Sequence, residues 1–185
     1  RIINHSPTPD IYNFLNINNI FYELDESSEG FIKNADLGII LDIGDFYRLG
    51  DVAHILEDNS IETLSIDHHP QSDNDFFTNT FIDLNACSVG EMLYSYFCNI
   101  DKNLIDKNIM LGLYVAVLTD TGSFRHSNTT ETSHQIAVDA IKMNLDITDI
   151  YQKIYESSSV SRIKLLGNVI QNLNFDCNGE LVWFA

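Results

Sequence analysis

The sequence predicts an α/β protein: a parallel sheet flanked by helices, with a largely helical second half. Three observations carry this expectation. Residues 37–43 and 61–66 are short runs dominated by apolar residues, as in strands buried on both faces. Between them, residues 46–56 place Leu49, Val52, Ala53 and Leu56 on one side of a helix. A helix-length connection between two apolar strands implies a parallel crossover. Beyond residue 88, the apolar residues recur at helical rather than strand spacing.

In chain order, residues 1–4 read as the tail of a strand, and residues 9–15 as a one-sided helical turn through Ile11, Phe14 and Leu15. Residues 25–30 are acidic and read as a turn. After strands 37–43 and 61–66 comes a polar loop, 71–79, and a short strand, 81–84. Helices follow at 88–97 and 104–118, the latter apolar almost all round and so expected to be the most buried. Further helices are expected at 131–143, 147–155 and 159–173. Residues 176–179 read as a turn and 181–184 as a strand. The abrupt termini, an initial Arg1 without Met and a final apolar strand, suggest a fragment trimmed at both ends. The expected organisation is one domain over 1–174, with 175–185 opening a further one.

Composition excludes several classes. The formal net charge is −17, with only ten basic residues, and these do not cluster. A duplex-DNA groove binder needs clustered Lys and Arg. A small phosphorylated substrate stays open, since bound divalent cations reverse the local sign. No apolar run reaches the roughly 18 residues of a membrane span, and no signal-peptide pattern opens the chain. Cys87, Cys98 and Cys177 are odd in number. Cys87 and Cys98, about 16 Å apart along a helix, cannot bridge. All three read as reduced, which fits a cytoplasmic protein.

The chemistry-bearing residues sit at the ends of apolar runs. Asp67-His68-His69-Pro70 closes the run through Ile66, Asp42 closes the one through Leu41, and Asp120 closes the long apolar helix. In open parallel sheets, ligands bind beyond the carboxyl ends of the strands. A carboxylate at a helix C-terminus opposes the dipole and needs compensation, which a cation supplies. Singly, Asp42 and Asp120-Thr121-Gly122 are ordinary turn residues; jointly with the histidine pair they favour a divalent-metal site. Oxygen-rich ligands with a His suit Mn²⁺ or Mg²⁺ better than Zn²⁺, and so point to metal-assisted hydrolysis. Arg125 and His126, just past Gly122, are as consistent with phosphate contact as with plain exposed loop residues. His5, His54 and His134 lack carboxylate company and read as structural. Ser157-Ser158-Ser159 reads as a helix N-cap, since no base accompanies it.

These residues resemble a family. Ser65-Ile66-Asp67-His68-His69-Pro70 looks like the naming motif of the DHH phosphoesterases. Leu41-Asp42-Ile43-Gly44-Asp45, followed by Arg48-Leu49-Gly50, resembles the preceding aspartate motif. Leu118-Thr119-Asp120-Thr121-Gly122-Ser123-Phe124-Arg125 resembles the later one. The order is right over nearly the whole chain. The Arg-Leu-Gly and Thr-Asp-Thr-Gly-Ser-Phe-Arg runs are closest to the nanoRNase and pAp phosphatase branch, the bifunctional oligoribonucleases. The resemblance implies a two-metal, usually Mn²⁺-dependent phosphoesterase acting on short RNA or a phosphorylated nucleotide. It implies that Asp42 bridges the metals and that His68 and Asp120 complete the second metal's shell. His69 would face the scissile phosphate, and Asp67 would orient a ligand from behind. The family's first His/Asp motif and its Gly-rich substrate-binding domain have no counterpart in these residues, so the expectation for the 185 residues alone is near-inactivity. The alternatives are another DHH hydrolase (pyrophosphatase, cyclic-dinucleotide phosphodiesterase or single-strand exonuclease), or a non-catalytic metal-binding or regulatory module.

Overall fold

A computed structural model describes residues 1–70 and 76–184. The chain divides into two compact units, residues 1–147 and 148–185. In the first unit, strands β1 (Ile2–Asn4) and β2 (Phe21–Glu23) pair in parallel. A second parallel sheet has the order β3-β4-β5, from Leu37–Leu41, Glu62–Asp67 and Asn79–Ile82. The two expected apolar strands are therefore parallel neighbours, with Leu41 opposite Ile66. The short strand after them begins two residues earlier than its apolar residues suggest.

Helices flank this sheet. On one face lie α1 (Glu26–Ile32) and α2 (Asp51–Asp58), whose Ile32, Val52, Ala53 and Leu56 form a core with Phe46. Gly38 of β3 meets Leu56 there: a Cβ on it would lie 3.2 Å from that side chain. Toward the other face come α3 (Val89–Ile100) and α4 (Lys107–Asp120), which bound a cavity with Leu41 through Val89, Leu93, Leu113 and Ala116. Helix α4 buries Met110, Leu113, Tyr114, Val115, Val117 and Leu118, as its all-round apolar character requires. Helix α5 (Glu131–Lys142) closes the unit.

Several expectations are corrected. Burial of the 37–43 strand on both faces holds for one face only: Ile40 is buried, but Leu37, Ile39 and Leu41 are 44–60% exposed. The reason is alternation: Gly38 and Ile40 share the face where Gly38 meets Leu56 of α2, while Leu37, Ile39 and Leu41 point to the other face. Among the described residues β3 is also an edge strand of its sheet, and a cavity of about 290 Å³ is lined by Ile2–Asn4 and Leu37–Leu41. The acidic stretch after Asp25 is a helix rather than a turn. Asp25 accepts the Ser28 N–H at 2.7 Å while the Ser28 hydroxyl accepts the Asp25 N–H at 2.7 Å, a capping box that starts α1. The helix expected over 46–56 is broken. A 3₁₀ turn, Phe46–Leu49, ends at Gly50, whose φ of +60° starts α2 afresh. His5 explains the glycine, because a Cβ at Gly50 would sit 2.6 Å from the imidazole. His5 has carboxylate company after all: its Nδ1 accepts the Asp51 N–H at 3.3 Å and lies 3.4 Å from the Asp51 carboxylate. It ties the end of β1 to the start of α2. Within the loop expected to be polar, residues 71–75 lie outside the described residues, and Phe76 and Phe77 pack their rings against Phe46. Strand β2 was not expected.

In the second unit, α6 (Ile147–Tyr151) runs into a π-helical turn, Gln152–Glu156. Helix α7 (Val160–Gln171) starts at Ser159, whose hydroxyl accepts the Arg162 N–H at 3.2 Å, so this serine is the expected cap. The 181–184 strand is one arm of an antiparallel hairpin, β6 (Asn174–Asp176) with β7 (Leu181–Trp183), through the expected turn. Among the described residues, no helix is long and apolar enough to cross a membrane. All three cysteines are free.

The packing of α3 on α5 centres on Asp139. Its carboxylate accepts the Tyr94 hydroxyl at 2.7 Å, the Lys102 ammonium and, at 3.1 Å, the Gln135 amide. Burial alone would raise its pKa, but the hydrogen bonds from Lys102 and Tyr94 outweigh this and hold it at about 2. A depressed carboxylate pKa stabilises the fold above the unfolded-state value, near 4, and that contribution disappears as pH falls toward 2. Asp139→Asn is therefore expected to lower stability at pH 7 by about 2 kcal/mol. The gap from wild type should shrink as pH falls from about 4 toward 2 in urea melts; a gap that stays constant over that range would contradict the assignment.

Candidate metal centre

The site forms where β3, β4 and α4 end. Asp67, the last residue of β4, is fully buried. Its Oδ1 accepts three donors: the N–H groups of His68 at 2.6 Å and His69 at 2.9 Å, and the His69 Nδ1–H at 2.8 Å. This folds the chain back at the strand end and sets the two imidazoles side by side, with ring centroids 4.1 Å apart. Asp42 follows β3 and is held by its N–H on the Ile66 carbonyl at 3.0 Å. Its φ is +61°, a left-handed conformation that Asp tolerates better than most residues but that still costs about 1–3 kcal/mol.

These constraints converge on His68. Its Nε2 lies 3.4 Å from Asp42 Oδ1 and 3.7 Å from Asp120 Oδ2. His69 Nδ1 lies 3.5 Å from the same Asp42 oxygen. The other His68 nitrogen, Nδ1, meets the Ala86 carbonyl at 3.3 Å, and a carbonyl can only accept. The proton is thus assigned to Nδ1 and the lone pair to Nε2, between two carboxylates. Among the described residues, the buried His68 Nε2 has no hydrogen-bond partner; Asp67 Oδ2 and Ser65 Oγ share that state. A buried polar atom without a partner is costly. An unpaired imidazole nitrogen facing carboxylates fits a divalent cation. Ligand atoms in adjacent positions of an octahedral Mn²⁺ or Mg²⁺ shell lie roughly 3 Å apart. Asp42, Asp67, His68 and His69 can each present a ligand atom within 4.8 Å of the others; Asp120 is not one of these four, but its Oδ2 lies 3.7 Å from His68 Nε2.

Electrostatics agree. Burial raises the Asp120 pKa, the nearby Asp42 charge raises it further, and His68 and His69 offset part of this. Two carboxylates facing one imidazole nitrogen repel each other until a cation lies between them. Arg125 and His126 have other engagements. The Arg125 side chain is held by its Nε on the Gly122 carbonyl at 2.8 Å. The His126 ring covers Gly122 so closely that a Cβ there would approach to 2.3 Å. Among the described residues neither has a hydrogen bond or ion pair with the carboxylate–imidazole cluster. His134 is structural, stacked on Phe124 with centroids 5.2 Å apart, and His54 lies 4.0 Å from Glu57. Sequence reasoning missed Glu91 and Asn128, which support the segment behind His68. The signal for Glu91 was available: Ser88-x-x-Glu91 has the capping-box spacing, and Ser88 does accept the Glu91 N–H at 3.1 Å.

A parallel sheet with carboxylates and imidazoles at its strand ends could hold a metal ion, and whole-chain comparison shows proteins similar to this one. The chain is similar to the bifunctional oligoribonuclease and PAP phosphatase NrnA of Bacillus subtilis, with 28% identity over 160 residues, covering 85% of this chain and 49% of that protein. It is similar to the NrnA of Mycoplasma genitalium at 24% identity over 176 residues, covering 95% of this chain and 52% of that protein. The chain therefore spans about half the length of the curated relatives it matches. A crystal structure of an exopolyphosphatase-related protein from Bacteroides fragilis superposes with a TM-score of 0.84 at 24% identity, over 95% of this chain and 53% of that one; it shows the shared fold. No family model matches the chain. The resemblance carried by the motifs, to DHH phosphoesterases of the nanoRNase and pAp phosphatase branch, thus has its counterpart in whole-chain similarity.

A cation that binds the folded protein stabilises it by mass action. At 100 times its dissociation constant, Mn²⁺ should add about 2.7 kcal/mol to unfolding stability. His68→Ala should abolish that increment in calorimetry. An undiminished Mn²⁺ response in His68→Ala would place the ion elsewhere.

Proposed function

We propose that the protein is a metal-dependent phosphoesterase that hydrolyses short oligoribonucleotides, 3'-phosphoadenosine 5'-phosphate, or both. The observation that carries this reading is the buried, unpartnered Nε2 of His68 between Asp42 and Asp120, with a second imidazole beside it. In this reading the phosphoesterase domain runs over residues 1–174, and the protein works in the cytoplasm. Asp42, His68 and Asp120 are the metal ligands, and Mn²⁺ or Mg²⁺ is the ion. When bound, such ions supply Lewis acidity toward phosphoryl oxygens and a water of lowered pKa.

The chain's own residues do the rest. Asp42, whose Oδ1 lies within 3.5 Å of a nitrogen of each histidine, would be the carboxylate shared between cations if two were bound. Asp67 keeps the His69 proton on Nδ1 and would stabilise the imidazolium, as a carboxylate does behind a catalytic histidine. The His69 side chain is 57% exposed, so its Nε2 is free to face a phosphate ester and to protonate the leaving oxygen. Arg125 and His126 are assigned to the substrate's outer phosphate contacts. A net charge of −17 disfavours long polyanions and suits a short substrate held through cations.

The whole protein, supplied with Mn²⁺, should release mononucleotides from two-to-five-nucleotide RNA and phosphate from pAp. Asp42→Ala should remove both activities. His69→Ala should keep Mn²⁺ affinity but lower turnover by about 10²–10⁴-fold, the range for a lost general acid. Preferential hydrolysis of pyrophosphate or cyclic dinucleotides would move the substrate class. Normal turnover by Asp42→Ala would overturn the reading.

A further inference from the structure

Behind the cluster lies a polar layer that no step above uses. Glu91, buried in the first turn of α3, accepts the Cys87 N–H through Oε2 at 2.7 Å and the Thr130 hydroxyl through Oε1 at 2.8 Å. Among the described residues, no Lys or Arg pairs with it. A buried carboxylate without a cation is expensive unless its hydrogen bonds are well placed. Asn128 Nδ2 donates to two carbonyls at once, that of Cys87 at 3.3 Å and that of Asp120 at 3.2 Å. On the other side, the Ala86 N–H donates to the Asp83 carbonyl at 3.2 Å. The Ala86–Cys87 segment is thus fixed from three directions. It carries the Ala86 carbonyl that meets His68 Nδ1.

We infer that Glu91 and Asn128 are positioning residues for the metal centre. Glu91 anchors the segment whose Ala86 carbonyl selects the His68 tautomer with its lone pair on Nε2. Asn128 ties that segment to the last turn of α4, which carries Asp120. His68 and Asp120 reach the structure from elements about 50 residues apart in sequence, and this layer holds their ligand atoms in common register. The inference rests on the metal-dependent reading of the site and assigns the support that this reading needs.

The test is Mn²⁺ affinity of the purified, metal-free protein without substrate, read from the free-Mn²⁺ electron paramagnetic resonance signal. Loss of a partner behind a metal ligand typically weakens binding about 10–100-fold. Glu91→Ala should weaken Mn²⁺ by that factor, and Asn128→Ala should weaken it in the same direction. Glu91→Gln should restore affinity close to wild type, since its amide oxygen can accept from Cys87 N–H and its NH₂ can donate to Thr130. Long-range ¹⁵N–¹H NMR of the Mg²⁺-loaded wild type should show the His68 proton on Nδ1. If wild type fails to bind Mn²⁺, or His68→Ala binds it equally well, the metal reading itself fails. If His68→Ala loses Mn²⁺ while folded Glu91→Ala and Asn128→Ala keep wild-type affinity, only the positioning inference is overturned. Should Glu91→Ala not fold, unchanged affinity in Asn128→Ala, or a Glu91→Gln as weak as His68→Ala, overturns it equally.

Discussion

One buried carboxylate organises the site. Asp67 is fully buried at the end of the central strand β4, and a carboxylate there must be satisfied by donors. Its Oδ1 meets that demand locally, by gathering the N–H groups of His68 and His69 and the His69 ring. The strand cannot continue, and the two imidazoles must emerge side by side. The neighbouring edge strand then follows: Asp42 hangs from the Ile66 carbonyl, one residue before Asp67, so its carboxylate arrives beside His68. The left-handed φ of Asp42 is the strain accepted for that placement. Without the Asp67 anchor, the His69 ring loses its fixed direction and His68 keeps only the Ala86 carbonyl at its Nδ1.

Charge explains why such a cluster suits a cation and a phosphate. Asp42 and Asp120 lie 3.4 and 3.7 Å from the same imidazole nitrogen, and burial and the Asp42 charge raise the Asp120 pKa. Among the described residues, no hydrogen bond relieves that frustration at His68 Nε2. A divalent ion relieves the repulsion and the orphaned lone pair together. On the proposed reading, it would also give a strongly acidic protein a local positive charge to hold a phosphoryl group. His69 differs from His68 in one respect that separates their proposed roles: its Nδ1 is held by Asp67 while most of its side chain faces solvent.

Much of this was legible in the sequence because it depends on chemistry at strand ends. The runs before Asp42 and Asp67 are parallel neighbours, and the motif residues Asp42, Asp67, His68, His69 and Asp120 lie together. What escaped was set by neighbours distant in sequence. The exposure of Ile39 depends on which face of β3 the helices cover, which an apolar run does not reveal. The break at Gly50 depends on the ring of His5, 45 residues earlier. Helix α1 looked like a turn because its acidic residues masked a cap that acts through Ser28. Glu91 went unread in the sequence, and only the fold brings it to the Cys87 amide.

The most direct measurement is a crystal structure of the protein grown or soaked with Mn²⁺, with anomalous data collected at the manganese edge. The account predicts an anomalous peak at ligand distance, about 2.0–2.3 Å, from Asp42, His68 Nε2 and Asp120 together. A fully ordered Asp42–His68–Asp120 cluster with no peak, or a peak coordinated by other residues alone, would contradict it.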